Sequence, residues 1–387
     1  MSSSTGTVLQ AAPATAREPA PTMSGGLHSA GSYLPALDGI RGLAALTVVV
    51  SHAALFGFLP EILGYGAGQM GVMLFFTLSG FLMTHLYLET ASTPQAIARY
   101  LIARVARVYP LYAVMVIISY LMFTFVDRTF TYRIFGSQMV LHLLLVGDRY
   151  VFWTIPPEIQ FYVVFAGIWF LRHRLPDFAA RFLLTATAAI VLLSILQYPG
   201  PKFAVTSYAQ FFLAGVLAGM AFHRFGARFA TFLTGFELPL LFALYVFSYP
   251  MIYERLTGQQ HQLWHEDAFA ALMALIVLVA AVGRDRLVPF LASRPMRWLG
   301  AVSFSLYLIH SIILDYAWRV HEAWGLNSLL CLAGAAIVLV AICHLSLVAF
   351  ETPTRRAINA WGSRLIAGRM SDLVTRRQPV EARAIES

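Results

Sequence analysis

The fold class this chain predicts is all-α: a polytopic integral membrane helix bundle of about ten transmembrane helices, with cytoplasmic N- and C-termini. Three observations predict it. Of 387 residues, 59% are hydrophobic and 12% charged, against roughly half apolar and a quarter charged in soluble domains; the mean hydropathy is +0.69. Apolar runs of spanning length recur from Leu37 to Phe350, where a soluble domain would gather one core under a polar shell. The arginines fall in short groups between those runs, which is the distribution that orients membrane helices.

Residues 1–32 are rich in Ser, Ala, Thr, Pro and Gly and read as a disordered cytoplasmic tail without a signal peptide. The membrane domain is expected over 33–358, followed by a polar, Arg-rich cytoplasmic tail at 359–387. Candidate spans lie near 37–59, 70–89, 109–126, 157–171, 180–198, 207–223, 236–253, 266–283, 300–318 and 326–350. The run 135–147 is below spanning length and is either re-entrant or interfacial. If it does not span, the groups around Arg104 and Arg107, Arg172 and Arg174, Arg224 and Arg228, Arg294 and Arg297, and Arg355 and Arg356 all share one side, the cytoplasm. The net charge of +8 is then a matter of topology and does not point to nucleic acid. Cys331 and Cys343 fall in one apolar run, which excludes a disulfide framework.

The first span, "LDGIRGLAALTVVVSHAALFG", carries Arg41 and His52. Eleven positions apart on a helix, they differ by about 20° in azimuth and lie roughly 16 Å apart along the axis. Arg41 is placed at the cytoplasmic mouth and His52 near mid-bilayer, where an ionisable group costs on the order of a few kcal/mol unless it faces the bundle interior or a wet cavity. A hydrogen bond to a neighbouring helix is the simpler role for His52, and snorkelling to the headgroups the simpler one for Arg41.

Ser79 and Gly80 fall mid-way along the second span, where small residues permit close helix approach. Arg104 and Arg107 share one helical face before Pro110 and are either positive-inside anchors or a paired guanidinium clamp for phosphate. In "FWTIPPEIQFYVVF", Glu158 either caps its helix or, with Trp153 and Tyr162, forms the rim of a sugar site on the outer side. His310 lies about ten residues into its span, a depth that matches that of His52. Glu351 is expected to pair with an inner-side arginine.

The ordered set "LDGIRGLAALTVVVSH", "FFTLSGFL", "RVARVYPLY", "WTIPPEIQFY", "SFSLYLIH" and "ETP" resembles the acyltransferase family 3 membrane proteins over roughly Leu34 to Arg356. That family includes bacterial enzymes that O-acetylate lipopolysaccharide, exopolysaccharide and Nod-factor sugars, and others that acylate macrolides. The resemblance implies acyl transfer, usually acetyl from acetyl-CoA, to a hydroxyl of a carbohydrate or lipid-linked glycan, by a multi-pass protein of the bacterial cytoplasmic membrane. Arg41 and His52 match its essential R-x10-H pair, Arg104 and Arg107 its R-x-x-R pair, and Trp153, Glu158, Gln160, Phe161 and Tyr162 its "WSLxxEEQFY"-like motif. Thr154 replaces the usual serine and Pro157 the first glutamate. The chain is expected to be the stand-alone type, without the SGNH-type domain that some members carry.

In the expected mechanism, Arg104, Arg107 and Arg297 hold the CoA phosphates and Arg41 lies on the CoA path. His52 acts as general base or acyl carrier. Glu158 and Trp153 meet the acceptor from the outer side. His310 orients His52 or holds the acceptor, and Ser79 lets the helices approach. No metal is expected. The alternatives are acylation of a small molecule such as a macrolide, or a proton-coupled transporter or flippase.

Overall fold

A computed structural model describes residues 33–175, 177–195, 200–258, 267–284 and 286–367. The expected tail over 1–32 lies outside them, as do the last twenty residues of the expected 359–387 tail, 368–387. Each of the apolar runs carries a helix. In chain order these are α1 (Pro35–Leu55), α2 (Ala67–Tyr87), α3 (Pro94–Leu121), the short α4 (Ser137–Leu143), α5 (Ile155–Arg172), α6 (Phe178–Ile195) and α7 (Ala209–Leu233). There follow α8 (Glu237–Phe247), α9 (Pro250–Thr257), α10 (Asp267–Val282), α11 (Leu287–Leu291), α12 (Arg294–Ala301), α13 (Ser303–Trp324) and α14 (Ser328–Leu345). Among the described residues there is no strand.

Among the described residues, six helical stretches are long and apolar enough to cross a membrane: Pro35–Leu55, Glu61–Tyr87, Pro94–Val126, Tyr150–Arg172, Val205–Leu233 and Ser328–Ala367. A seventh is reached if α12 and α13, bent by 73° at their junction, count as one span. The runs read near 180–198, 236–253 and 266–283 form the shorter apolar helices Phe178–Ile190, Glu237–Phe247 and Ala268–Val282. One cause of shortness is local: Pro250 has no N–H to continue α8 and instead opens α9 at its first position.

α3 differs from its expected extent in a way that bears on function. Thr93 caps it, its hydroxyl accepting from the Ala96 N–H at 3.1 Å, and Pro94 opens it, so the helix runs unbroken through Pro110 to Leu121. Arg104 and Arg107 therefore stand inside a spanning helix, with Arg107 about 20 Å along the axis from its start. The run 135–147 yields only the seven-residue α4, far too short to cross. It is pinned to α3 by the Tyr112 hydroxyl donating to His142 O at 2.6 Å and that of Tyr109 to Leu143 O at 2.9 Å.

The centre of the bundle is set by close crossings. A Cβ on Gly80 of α2 would run into the Phe212 carbonyl oxygen of α7, and one on Gly215 of α7 into that of Thr77. Only glycine permits this approach. Around it Phe212 stacks on Phe161 with ring centroids 4.3 Å apart and on Phe76 at 4.6 Å, joining α7 to α5 and α2. α12 lies on α1 because Gly300 has no side chain to meet the Asp38 carbonyl. At the C-terminal end the helix passes through residue 358 to Ala367 and sets Gly362 against Ile102 of α3.

Candidate functional site

Two cavities take their walls from these crossings, and α1 contributes to both. Arg41, one and a half turns into α1, lines the first, of about 110 Å³, together with Ser79, Arg104, Arg107, Glu158 and Tyr162. His52, near the other end of α1, lines the second, of about 640 Å³.

The first cavity is built where α3 and α5 pack antiparallel. Tyr100 of α3 meets Phe165 and Trp169 near the end of α5, while Arg104 and Arg107 come level with Tyr162 and Glu158 near its start. The carboxylate of Glu158 can only accept, and one oxygen, Oε1, receives the Ser79 hydroxyl at 2.5 Å and the Tyr162 hydroxyl at 2.7 Å. Arg41 is steadied by Asp38 at 3.0 Å, which also receives the Tyr33 hydroxyl at 2.5 Å. Arg104 donates through Nη2 to the Tyr87 hydroxyl at 3.0 Å, while its buried Nε has no partner among the described residues. Arg107 makes no hydrogen bond or ion pair to those residues, although Glu158 is a near charge. Among the described residues, three guanidiniums and one carboxylate line this cavity. The excess of positive charge and the unpartnered Arg104 Nε favour an anion there.

In the second cavity the state of His52 follows from one contact. Its Nδ1 lies 2.9 Å from the Val48 carbonyl oxygen, which can only accept, so Nδ1 carries the proton. Nε2 is left with its lone pair and has no protein partner among the described residues. His310 meets it edge to face, with ring centroids 4.7 Å apart at 73°. The nitrogens of His310 are both engaged on its own helix: Nδ1 donates to Leu306 O at 3.1 Å and Nε2 accepts from the Ser311 hydroxyl at 3.1 Å. Of the two imidazoles, His52 is the one able to take a proton from a ligand. Trp153 and Tyr208, with centroids 5.1 Å apart, and Tyr150 add aromatic faces to this cavity. Lys202, the only lysine of the chain, lies on its wall.

Several expected partners are brought together: Arg41 with Arg104 and Arg107, His52 with His310 and Trp153. Others are separated. Glu158, expected on the outer side with Trp153, lies instead among the arginines. Trp153 sits five positions earlier, in the tight turn Tyr150–Thr154 that precedes α5, and lines the other cavity. Ser79 acts as a hydrogen-bond donor to Glu158, while Gly80 makes the close approach. Arg297 lines neither cavity; its charge lies near Tyr33, just before the start of α1. Sequence reasoning missed Val72, Lys202, Tyr208 and Tyr307; Tyr307 lies within the "SFSLYLIH" motif, and for Lys202 the signal was its singularity. Among the described residues, no three His, Cys, Asp or Glu side chains gather to hold a metal ion.

A family model described as an acyltransferase domain, that of acyltransferase family 3, matches residues 34–348. An inferred acetyltransferase of Acidianus two-tailed virus is 25% identical over 296 residues, covering 73% of this chain and 84% of its own length. Peptidoglycan O-acetyltransferase OatA of Listeria monocytogenes is 22% identical over 363 residues, covering 84% of this chain and 56% of that protein. YrhL of Bacillus subtilis, an inferred peptidoglycan O-acetyltransferase, is 22% identical over 345 residues, covering 75% of this chain and 50% of that protein. The chain therefore spans about half the length of these two bacterial relatives. No solved structure matches it at a significant level.

Proposed function

Because the chain belongs to acyltransferase family 3, we propose that it is a membrane O-acyltransferase that moves an acetyl group from cytoplasmic acetyl-CoA to a hydroxyl of a cell-envelope or exported carbohydrate. The observation that carries this reading is the fixed tautomer of His52, with Nε2 free to act as a base beside an aromatic-walled cavity. The aromatic faces suit the apolar side of a sugar ring, and the family's relatives named for peptidoglycan act on such a polymer.

In this reading the acceptor O–H gives its proton to Nε2 of His52 as its oxygen attacks the thioester carbonyl. The C–S bond breaks, and the proton passes to the departing thiolate to give free CoA and an ester. Arg41, Arg104 and Arg107 meet the anionic donor. Glu158 holds Ser79 and Tyr162 in place and limits the positive charge of the donor cavity. The donor enters from the cytoplasm. Ten passes, with both termini cytoplasmic in the bacterial inner membrane, accord with the arginine groups at Arg172 and Arg174, Arg224 and Arg228, Arg294 and Arg297, and Arg355 and Arg356.

Mass spectrometry of envelope glycans and exported small molecules tests the reading in cells with the gene, without it, and with a His52→Ala copy. An acetyl mass lost on deletion and not restored by His52→Ala is the expected result. Unchanged acylation in all three removes the reading.

A further inference from the structure

Among the described residues that line the two cavities, Val72 and Tyr307 alone line both. We propose that they form the passage through which only the acyl group crosses from the arginine cavity to His52, and that this passage sets the length of acyl chain transferred. The proposal rests on the acyltransferase reading and adds a specificity determinant to it.

Two helix faces converge at this point. On α2, Gly68, Val72 and Ser79 stand at i, i+4 and i+11, within about 40° of one another in azimuth. Gly68 lines the His52 cavity, Ser79 the arginine cavity, and Val72 both. On α13 a similar handover occurs at i, i+4 and i+8: Ser303 lines the arginine cavity, Ser311 the His52 cavity, and Tyr307, midway between them, lines both. Each helix therefore hands over from one cavity to the other at a single side chain.

Both side chains are held in shape. Val72 is 5% exposed and Tyr307 7%. A β-branched residue in a helix keeps one rotamer. The Tyr307 hydroxyl donates to Val151 O at 3.1 Å, and its ring packs against Phe75 with centroids 6.4 Å apart. A fixed apolar wall of this kind lets a short acyl chain through and excludes the charged remainder of the donor, which stays with the arginines. Discrimination by one methylene in such a pocket is about 10- to 200-fold.

The test compares acetyl-, propionyl- and butyryl-CoA as donors to an envelope glycan fraction, using full-length protein, with free thiol and acyl mass on the acceptor as readouts. Val72→Ala shortens the wall and is expected to raise the butyryl-to-acetyl ratio of kcat/KM by about 10-fold or more. Val72→Ile lengthens it and is expected to lower the propionyl-to-acetyl ratio. A purely structural effect would change all donors alike and leave the ratios where they were. Wild-type protein that acetylates, with both variants keeping the wild-type ratios, overturns the passage alone. Wild-type protein that consumes no donor overturns the acyltransferase reading and the passage with it.

Discussion

His52 and His310 lie ring to ring yet have different freedom. Both nitrogens of His310 are occupied within its own helix, while Nε2 of His52 is open to the cavity. In the proposed reaction His310 is therefore a positioning residue, and its replacement by Ala should lower kcat about tenfold, against the 10²- to 10⁴-fold that loss of a general base costs. The pH–rate profile separates the roles: His310→Ala keeps the acidic limb that protonation of His52 gives to the wild type. Loss of that limb in His310→Ala would exchange the assignments. The R-x10-H spacing and the matched depth of the second histidine made this pair legible in the sequence. The tautomer was not, because it depends on where one ring nitrogen points. Glu158 differs from expectation for a related reason: its position at a helix start is visible in the sequence, but apolarity alone starts the facing helix at residue 109, which leaves Arg104 and Arg107 outside the helix that carries them.

The elements that frame the cavities depend on backbone approach. α2 and α7 meet at Gly80 and Gly215, where the atoms nearest an added methyl group all belong to backbone. Gly80→Ala should destabilise the protein by about 1–3 kcal/mol or more, since a backbone cannot yield as a side chain does. Gly167→Ala, at a position with nothing near the added methyl, should be neutral or stabilising by about 0.5–1 kcal/mol through helix propensity. Unfolding midpoints of the two variants in one detergent check the contrast; equal midpoints would show that the crossing tolerates displacement. Helix existence was readable from apolar periodicity. Extents were not, because the Thr93 cap lies in a polar segment and Pro110 is accommodated within α3. The break at Pro250 likewise divides a run that looked continuous.

At the scale of the molecule, the arginine cavity and the His52 cavity are separate spaces that meet at two side chains, Val72 and Tyr307, among the described residues. The sequence contained the ordered motifs and the apolar runs, so the family and the helical membrane fold were legible. The division of the site into two cavities was not, because residues neighbouring in one motif, Trp153 and Glu158, turn to opposite sides. Division implies sidedness: a charged thioester donor that cannot cross the bilayer should be used from one face only. The most direct test supplies acetyl-CoA to sealed vesicles of opposite orientation and measures acetyl transfer to the envelope acceptor. Transfer in inverted vesicles, absent from right-side-out ones and lost by at least about 100-fold in His52→Ala at equal abundance, is the predicted result. Equal transfer in both orientations, or wild-type transfer by His52→Ala, would contradict it.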